Sequence, residues 1–471
     1  MRFLQGYVLY VLWGSASLAF LLFSQSSIIS SGYLGWHDQQ RATQLLLLIP
    51  VAVIIFFSRF FYLSSRGFLI VFLFFLLGLF SCLKAASPVW AIKEWGRWLG
   101  LVLLMLVVAR FELEFSIRRV IVFSMAFVGG VQVFLFLVVY CSAFVSGLNN
   151  IDAEVLLVGF SNPRFFGQFQ VLLFPVLALL YVDLCARYEK YNYLIFFILA
   201  LQWCISFMLG GRGLWLGLVL GHAALLIVSI RHRQLFAVQF WAALTGFGIF
   251  ALMFHLLPCL FGMETVLYDG LRVGLSAREV IWGHAWVMSV ENPFLGVGPM
   301  HFSAEYNQIA AHPHQMVLQL MAEWGFPAAA LACALIFMGL ATGIKVLRSD
   351  SGSRDDACLW VVFVSALALA QVDGVFVMPY TETWLAILAG IAVARWSSVQ
   401  TVGRSQYVFF TLSATAVCSI FGYVLLYEVW SLPSVEHAYL ETHSTGLSPR
   451  FWEQGWISTP FVGDRGMEGN P

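Results

Sequence analysis

A chain of 471 residues, 61% hydrophobic and 11% charged, cannot clothe a large water-facing surface, because soluble proteins carry about 25% charged residues. Its formal net charge is zero, which gives no electrostatic basis for binding nucleic acid or for a polybasic membrane-surface role. The eight cysteines sit mostly inside apolar runs without a CxxC pair, and read as small apolar core residues.

About 20 apolar residues are needed to cross the hydrocarbon core. About thirteen candidate spans meet this requirement, at 4–23, 42–62, 67–83, 88–109, 119–141, 167–186, 192–209, 213–230, 235–257, 315–340, 357–378, 381–396 and 407–427. The first follows only Met1 and Arg2 and shows no A-x-A cleavage site, so it reads as an uncleaved helix rather than a signal peptide. Gly210, Gly211, Arg212 and Gly213 interrupt what would otherwise be one long apolar block and predict a turn. The predicted fold is all-α and polytopic. A transmembrane domain, 1–427, carries a large loop, 258–314, between its ninth and tenth helices, and a short tail, 428–471, follows.

Lysine and arginine set the orientation. With the N-terminus inside, Arg110, Arg118, Arg119, Arg231, Arg233, Lys345, Arg348 and Arg354 crowd into short inner loops. The 258–314 loop and the tail then face outward. Arg164, Arg212 and Arg278 are outer cations flanked by apolar residues, against the rule. Arginine at helix-centre depth costs about 2.5–3.5 kcal/mol, and less near the interface. It still seeks a partner there. A bound anion is one reading, and snorkelling to lipid headgroups is the other. Glu94 and Arg97, three residues apart, read as a pair that satisfies itself.

The stretch from Leu257 to Gly325 is the longest that the membrane does not claim. Gly296, Gly298 and Pro299 mark a turn, without the strand and helix context of a dinucleotide fingerprint. His312-Pro313-His314-Gln315 closes the loop. Pro313 suits a first helical turn, which puts His314 at a helix N-terminus, where free N–H groups attract phosphate. The same field disfavours imidazolium, and a neutral ring can take a proton from an attacking hydroxyl. Three other readings stand beside this one. His312 and His314 could ligate a metal, although residues two apart do not share a helix face. His314 could be a cap or a packing residue. The loop could be a lid over a transport pathway.

His314-Gln315, nine residues, Gly325, two residues and Ala328 resemble the signature of the O-antigen ligase superfamily, which includes Wzy-type polymerases and bacterial O-oligosaccharyltransferases. The family pattern ends in Gly, Thr or Tyr where this chain has Ala328. Asn292-Pro293-Phe294-Leu295-Gly296-Val297-Gly298 is similar to the family's turn. Arg212 within Gly210–Gly213, and Arg278 after Ser276-Ala277 and before Trp282, stand where the family has its two essential arginines. The resemblance spans about residues 160–395. It implies a metal-independent, cofactor-free, inverting glycosyltransferase of the bacterial inner membrane. The N-terminus would be cytoplasmic, and the active site and C-terminus periplasmic. The donor would be a glycan on undecaprenyl diphosphate. Arg212 and Arg278 would bind the diphosphate, with Arg164 beside them, and His314 would orient or deprotonate the acceptor. Gln168, His312, Gln315 and Tyr380 would be further donor or acceptor contacts. Asp373-Gly374 reads as a turn and Tyr380 as an interfacial aromatic on residue type alone.

An outer tail after a last span, and the His312-Pro313-His314 run, resemble pilin-type oligosaccharyltransferases. The expected acceptor is therefore a pilin serine or threonine. Lipid A core in lipopolysaccharide synthesis stands second and glycan polymerisation third. Trp430, Trp452 and Trp456 suggest that the tail lies in the membrane interface. A transporter is the reading from another class, but the predicted spans keep their charges near their ends. Nothing resembles the outer aspartate motif of cell-wall polymerases of the SEDS type.

Overall fold

The computed structural model describes residues 34–57, 60–61, 63–185, 189–267, 277–397, 400–401, 403–442 and 446–457. The expected span 4–23, Ser276 and residues 458–471 of the tail lie outside them. The main helices are α1 (Trp36–Phe56), α2 (Ser65–Lys84), α3 (Pro88–Phe115), α4 (Arg118–Val145), α5 (Pro163–Cys185), α6 (Glu189–Leu209), α7 (Arg212–Val228) and α8 (Arg233–Ala251). They continue with α9 (Arg278–Glu291), α10 (Met316–Arg348), α11 (Arg354–Leu369), α12 (Pro379–Trp396) and α13 (Arg404–Tyr423). α8 runs on to Phe261 and α13 to Thr442 through π-helical turns.

Every expected span after the first overlaps one of these helices, although that at 357–378 ends at Leu369 and gives way to a loop, and α9 is an additional helix inside the long loop. Among the described residues, eight helices are long and apolar enough to cross a membrane. The molecule is an all-α, multi-pass membrane protein. The predicted turn at 210–213 is present, with Gly210 at φ 62° and α7 opening at Arg212.

The two ends of the bundle differ in chemistry. At one end, Arg118, Arg119, Arg354 and Arg395 pair with Glu112, Asp183, Asp355 and Asp356. There Arg231 also donates to the carbonyls of Leu347, Ser349 and Gly352. The cations assigned to inner loops thus gather at one end. The described parts of the 258–314 segment lie at the other. Lys84, closing α2, reaches Asn292, and β1 (Asn150–Asp152) pairs in parallel with β2 (Glu264–Val266).

The break in α10 links two of the sequence motifs. Gly325 has φ 82° and ψ 165° inside the helix, a conformation that is essentially confined to glycine. The break frees helix carbonyls that must find other donors. Val297 N–H donates to Ala322 O at 2.9 Å and Gly298 N–H to Glu323 O at 3.0 Å, while Phe326 N–H returns a bond to Pro293 O at 2.8 Å. The 292–299 turn is therefore the complement of the Gly325 kink. A Cβ on Gly325 would meet the Phe294 carbonyl carbon at 2.5 Å.

The tail departs from the interfacial expectation. Trp430 is exposed, but Arg450, Phe451, Trp452 and Trp456 are buried in the bundle. Arg450 carries a charge that lipid would not solvate, and it finds partners only by folding inward. Its Nη2 donates to both oxygens of Glu323, at 2.9 and 2.6 Å, and lies 3.4 Å from Glu94. Glu94 pairs with Arg97, as the sequence suggested, but Arg97 also binds Glu382, which in turn binds Arg41. The fully buried ladder balances three arginines against three glutamates. It begins one to two turns below the end that carries the long loop.

Candidate active site

Four chain segments meet above this ladder. α5 contributes Gln168, whose side-chain amide donates to Asp373 Oδ1 at 2.9 Å. Arg164 lies one turn earlier on the same helix, and residues four apart share a face. α7 packs on α11 through Gly213, Gly217 and Gly221. A Cβ on Gly217 would meet Ser365 O at 2.7 Å, so these glycines let the two backbones touch. Gly213 abuts Leu369 and Val372, which sets Arg212 beside the loop that holds Asp373.

α9 brings Arg278. Trp282, one turn on, donates its indole N–H to Pro313 O at 2.9 Å, which ties this helix to the histidine segment. α10 starts at Met316, where the tenth span was expected to open, and Pro313 lies just ahead of its first turn. Gln315 is the N-cap, and its side chain accepts from Leu318 N. That leaves His314 just outside the helix at φ 52°, a left-handed conformation unusual for a residue with a side chain. Arg164, Gln168, Arg212, Arg278, His314 and Asp373 consequently share one end of the bundle.

The His314 ring is about a quarter exposed, and its Nδ1 faces Asp373 Oδ1 at 3.6 Å, beyond hydrogen-bond length. That nitrogen makes no hydrogen bond among the described residues. Gly374 N–H donates to the same carboxylate oxygen at 2.7 Å. Burial pushes the Asp373 carboxyl up. The His314 ring, the Gly374 amide and the Arg278 charge outweigh it and hold the carboxyl below its ordinary value. Asp373 thus places a negative charge opposite one imidazole nitrogen of His314.

Several expected contacts sit differently. His312 is buried, with its ring centroid 4.0 Å from that of His314. Burial, followed by the charges of His314, Arg450, His37 and Arg278, lowers its pKa well below the ordinary histidine value. It accepts the His314 N–H on Nδ1 at 3.3 Å, so it does not face an open cavity. Tyr380 is 1% exposed, held among Phe160, Phe169 and Trp384. Its aromatic ring gains more from that core than from the rim. Gln315 spends its side chain on the α10 cap and on Gln371 Oε1 at 2.9 Å. Asp373, read as a turn residue, stands at the centre. Its only sequence cue was the Asp-Gly turn near the end of the apolar run 357–378. His284 and His301 pair with Glu305 and with the Pro299 and Ser87 backbone. Among the described residues, no group of three His, Cys, Asp or Glu side chains could hold a metal ion.

The described site is therefore a His314–Asp373 pair at the same end of a multi-pass helical bundle as Arg164, Arg212 and Arg278. Residues 195–333 match the family model described as O-Antigen ligase, and this stretch contains Arg212, Arg278, His314 and Gly325. The match bears out the O-antigen ligase superfamily, whose members are membrane glycosyltransferases. No curated protein and no solved structure matches the chain.

Proposed function

We propose that the protein transfers a preassembled glycan from undecaprenyl diphosphate to an acceptor hydroxyl at the periplasmic face of the inner membrane. The observation that carries this reading is the meeting of His314, Asp373 and Gln168 at the same end as Arg164, Arg212 and Arg278. Asp373 keeps the proton of His314 on Nδ1, and Nε2 accepts the proton of the acceptor hydroxyl. The acceptor oxygen bonds to the anomeric carbon as the bond from that carbon to the phosphate oxygen breaks. The diphosphate leaves with added negative charge, which Arg212 and Arg278 stabilise, with Arg164 as a further cation. Single displacement inverts the anomeric centre.

The acceptor follows from weaker signals. A tail packed inside the bundle removes the argument that an outward tail favours protein. The family description favours lipid A core. The His312-Pro313-His314 run, similar to the oligosaccharyltransferase form, favours a pilin serine or threonine as the second reading. Purified protein in proteoliposomes, given lipid-linked glycan with either lipid A core or pilin, separates the two. In the same assay, His314→Ala should lower transfer about 10²–10⁴-fold and Arg278→Ala about 10²–10³-fold. Folded variants that both transfer at the wild-type rate would overturn the proposal.

A further inference from the structure

His312 is a buried histidine beside the site that the proposed chemistry does not use. Its ring sits between the His314 ring and the backbone of Gly374, the residue that follows Asp373. On one side are the His314 ring, 4.0 Å away between centroids, and the His314 N–H, which it accepts at 3.3 Å. On the other is Gly374, where a Cβ would stand 2.5 Å from His312 Cε1. The amide of that same glycine holds Asp373 Oδ1 at 2.7 Å. The backbone conformation of His314, at φ 52°, is one that its side chain disfavours, so it persists only where its surroundings impose it. The His312 acceptor, the Trp282 bond to Pro313 O and the bond from Met316 N to Ala370 O at 2.9 Å are the constraints on that turn.

We propose that His312 is a positioning residue: its Nδ1 fixes the His314 backbone while its ring gauges the distance to the Asp373 loop, so that the two reactive partners keep register. The inference rests on the reading of His314 as the proton acceptor. The ring suits the task because it presents a lone pair. Burial, with the charges of the buried Arg450 of the tail and of Arg278 acting in the same direction, keeps it unprotonated. A protonated ring would have no acceptor to offer the His314 amide.

The shapes of the amide side chains separate this role from simple packing. The Oδ1 of asparagine can occupy the position of histidine Nδ1, and the amide of glutamine lies nearer Nε2. Leucine fills similar space with no acceptor. Transfer from lipid-linked glycan is measured for His312→Asn, His312→Gln, His312→Leu, Gly374→Ala and His314→Ala in proteoliposomes. Each is first checked for a monodisperse peak and an unchanged melting temperature. Gln and Leu should lower kcat about 10²-fold, the usual effect of a misplaced reacting group, with donor KM unchanged. Asn should recover most of the rate. Gly374→Ala deletes no polar group and tests the same register from the opposite side if His312→Leu does not fold. It should lower kcat similarly.

Wild-type kcat in His312→Leu, or equal rates for Asn, Gln and Leu, would reduce His312 to a space-filling residue. If His314→Ala itself transfers at the wild-type rate, the reading of His314 falls, and the inference with it. An inactive His314→Ala beside a fully active His312→Leu would overturn the positioning role alone.

Discussion

Replacing Arg450 by leucine tests whether the tail is a structural part of the membrane domain. Arg450 and Glu323 are each 1% exposed at their side chains. Leucine would leave the Glu323 carboxylate facing a low-dielectric interior without its bidentate partner. Breaking a buried pair in this way costs about 3–5 kcal/mol. In a protein of this size that should appear as a fall of about 5 °C in apparent melting temperature. The geometry also predicts a rescue. Arg450 Nε and Nη1 make no hydrogen bond among the described residues, so much of the gain from pairing is offset by burying those groups. Replacing both partners with leucine should return most of the lost stability. The measurement is fluorescence-detected size-exclusion melting of wild type, both single variants and the double variant in one detergent. An Arg450→Leu protein that melts with wild type, or a double variant showing the sum of the single losses, would refute the reasoning.

Gly325→Ala should destabilise the protein by about 2–4 kcal/mol, through a glycine-only backbone conformation and a clash with the Phe294 carbonyl. Melting checks it, and protease sensitivity should rise within 292–299. Asp373→Asn should lower kcat about 10²-fold or more, because the neutral amide no longer selects the His314 tautomer, while donor KM stays near wild type. The transfer assay decides between them. Burial, and then the nearby charge of Glu436, pushes the carboxyl of Glu453 in the tail up from 4.5 to about 7. A raised folded-state value means the penalty is absent below pH 4.5, grows between 4.5 and 7, and is complete above 7. Glu453→Gln should therefore stabilise the protein at pH 8 by at most about 3 kcal/mol and leave its melting at pH 4 unchanged.

Hydropathy made the helices legible because lipid demands a continuous apolar run from each span. The split between α6 and α7 came instead from Gly210, Gly211, Arg212 and Gly213, which are legible as a turn. The pattern of His314, Gly325 and the 292–299 turn pointed to the right segments. Their physical reason, a broken helix whose free carbonyls need the turn's amides, exists only in three dimensions. Asp373 was harder to read. Asp-Gly is an ordinary turn, and its tie to His314 crosses the full return path of α10 and α11. The tail misled for a related reason. Tryptophans signal an interface when nothing else is known, and the partners that draw Arg450 inward lie in α3 and α10.

The inserted tail also governs when the molecule can be completed. Arg41 bonds the Arg450 carbonyl across 409 positions of chain, and Glu323 waits for the same residue. A nascent bundle therefore leaves the translocon with buried charges still unmatched. Only after the final stretch has been made and threaded back can the ladder close. A chain stopped short of Arg450 would leave Glu323 inside the bundle without its ion-pair partner.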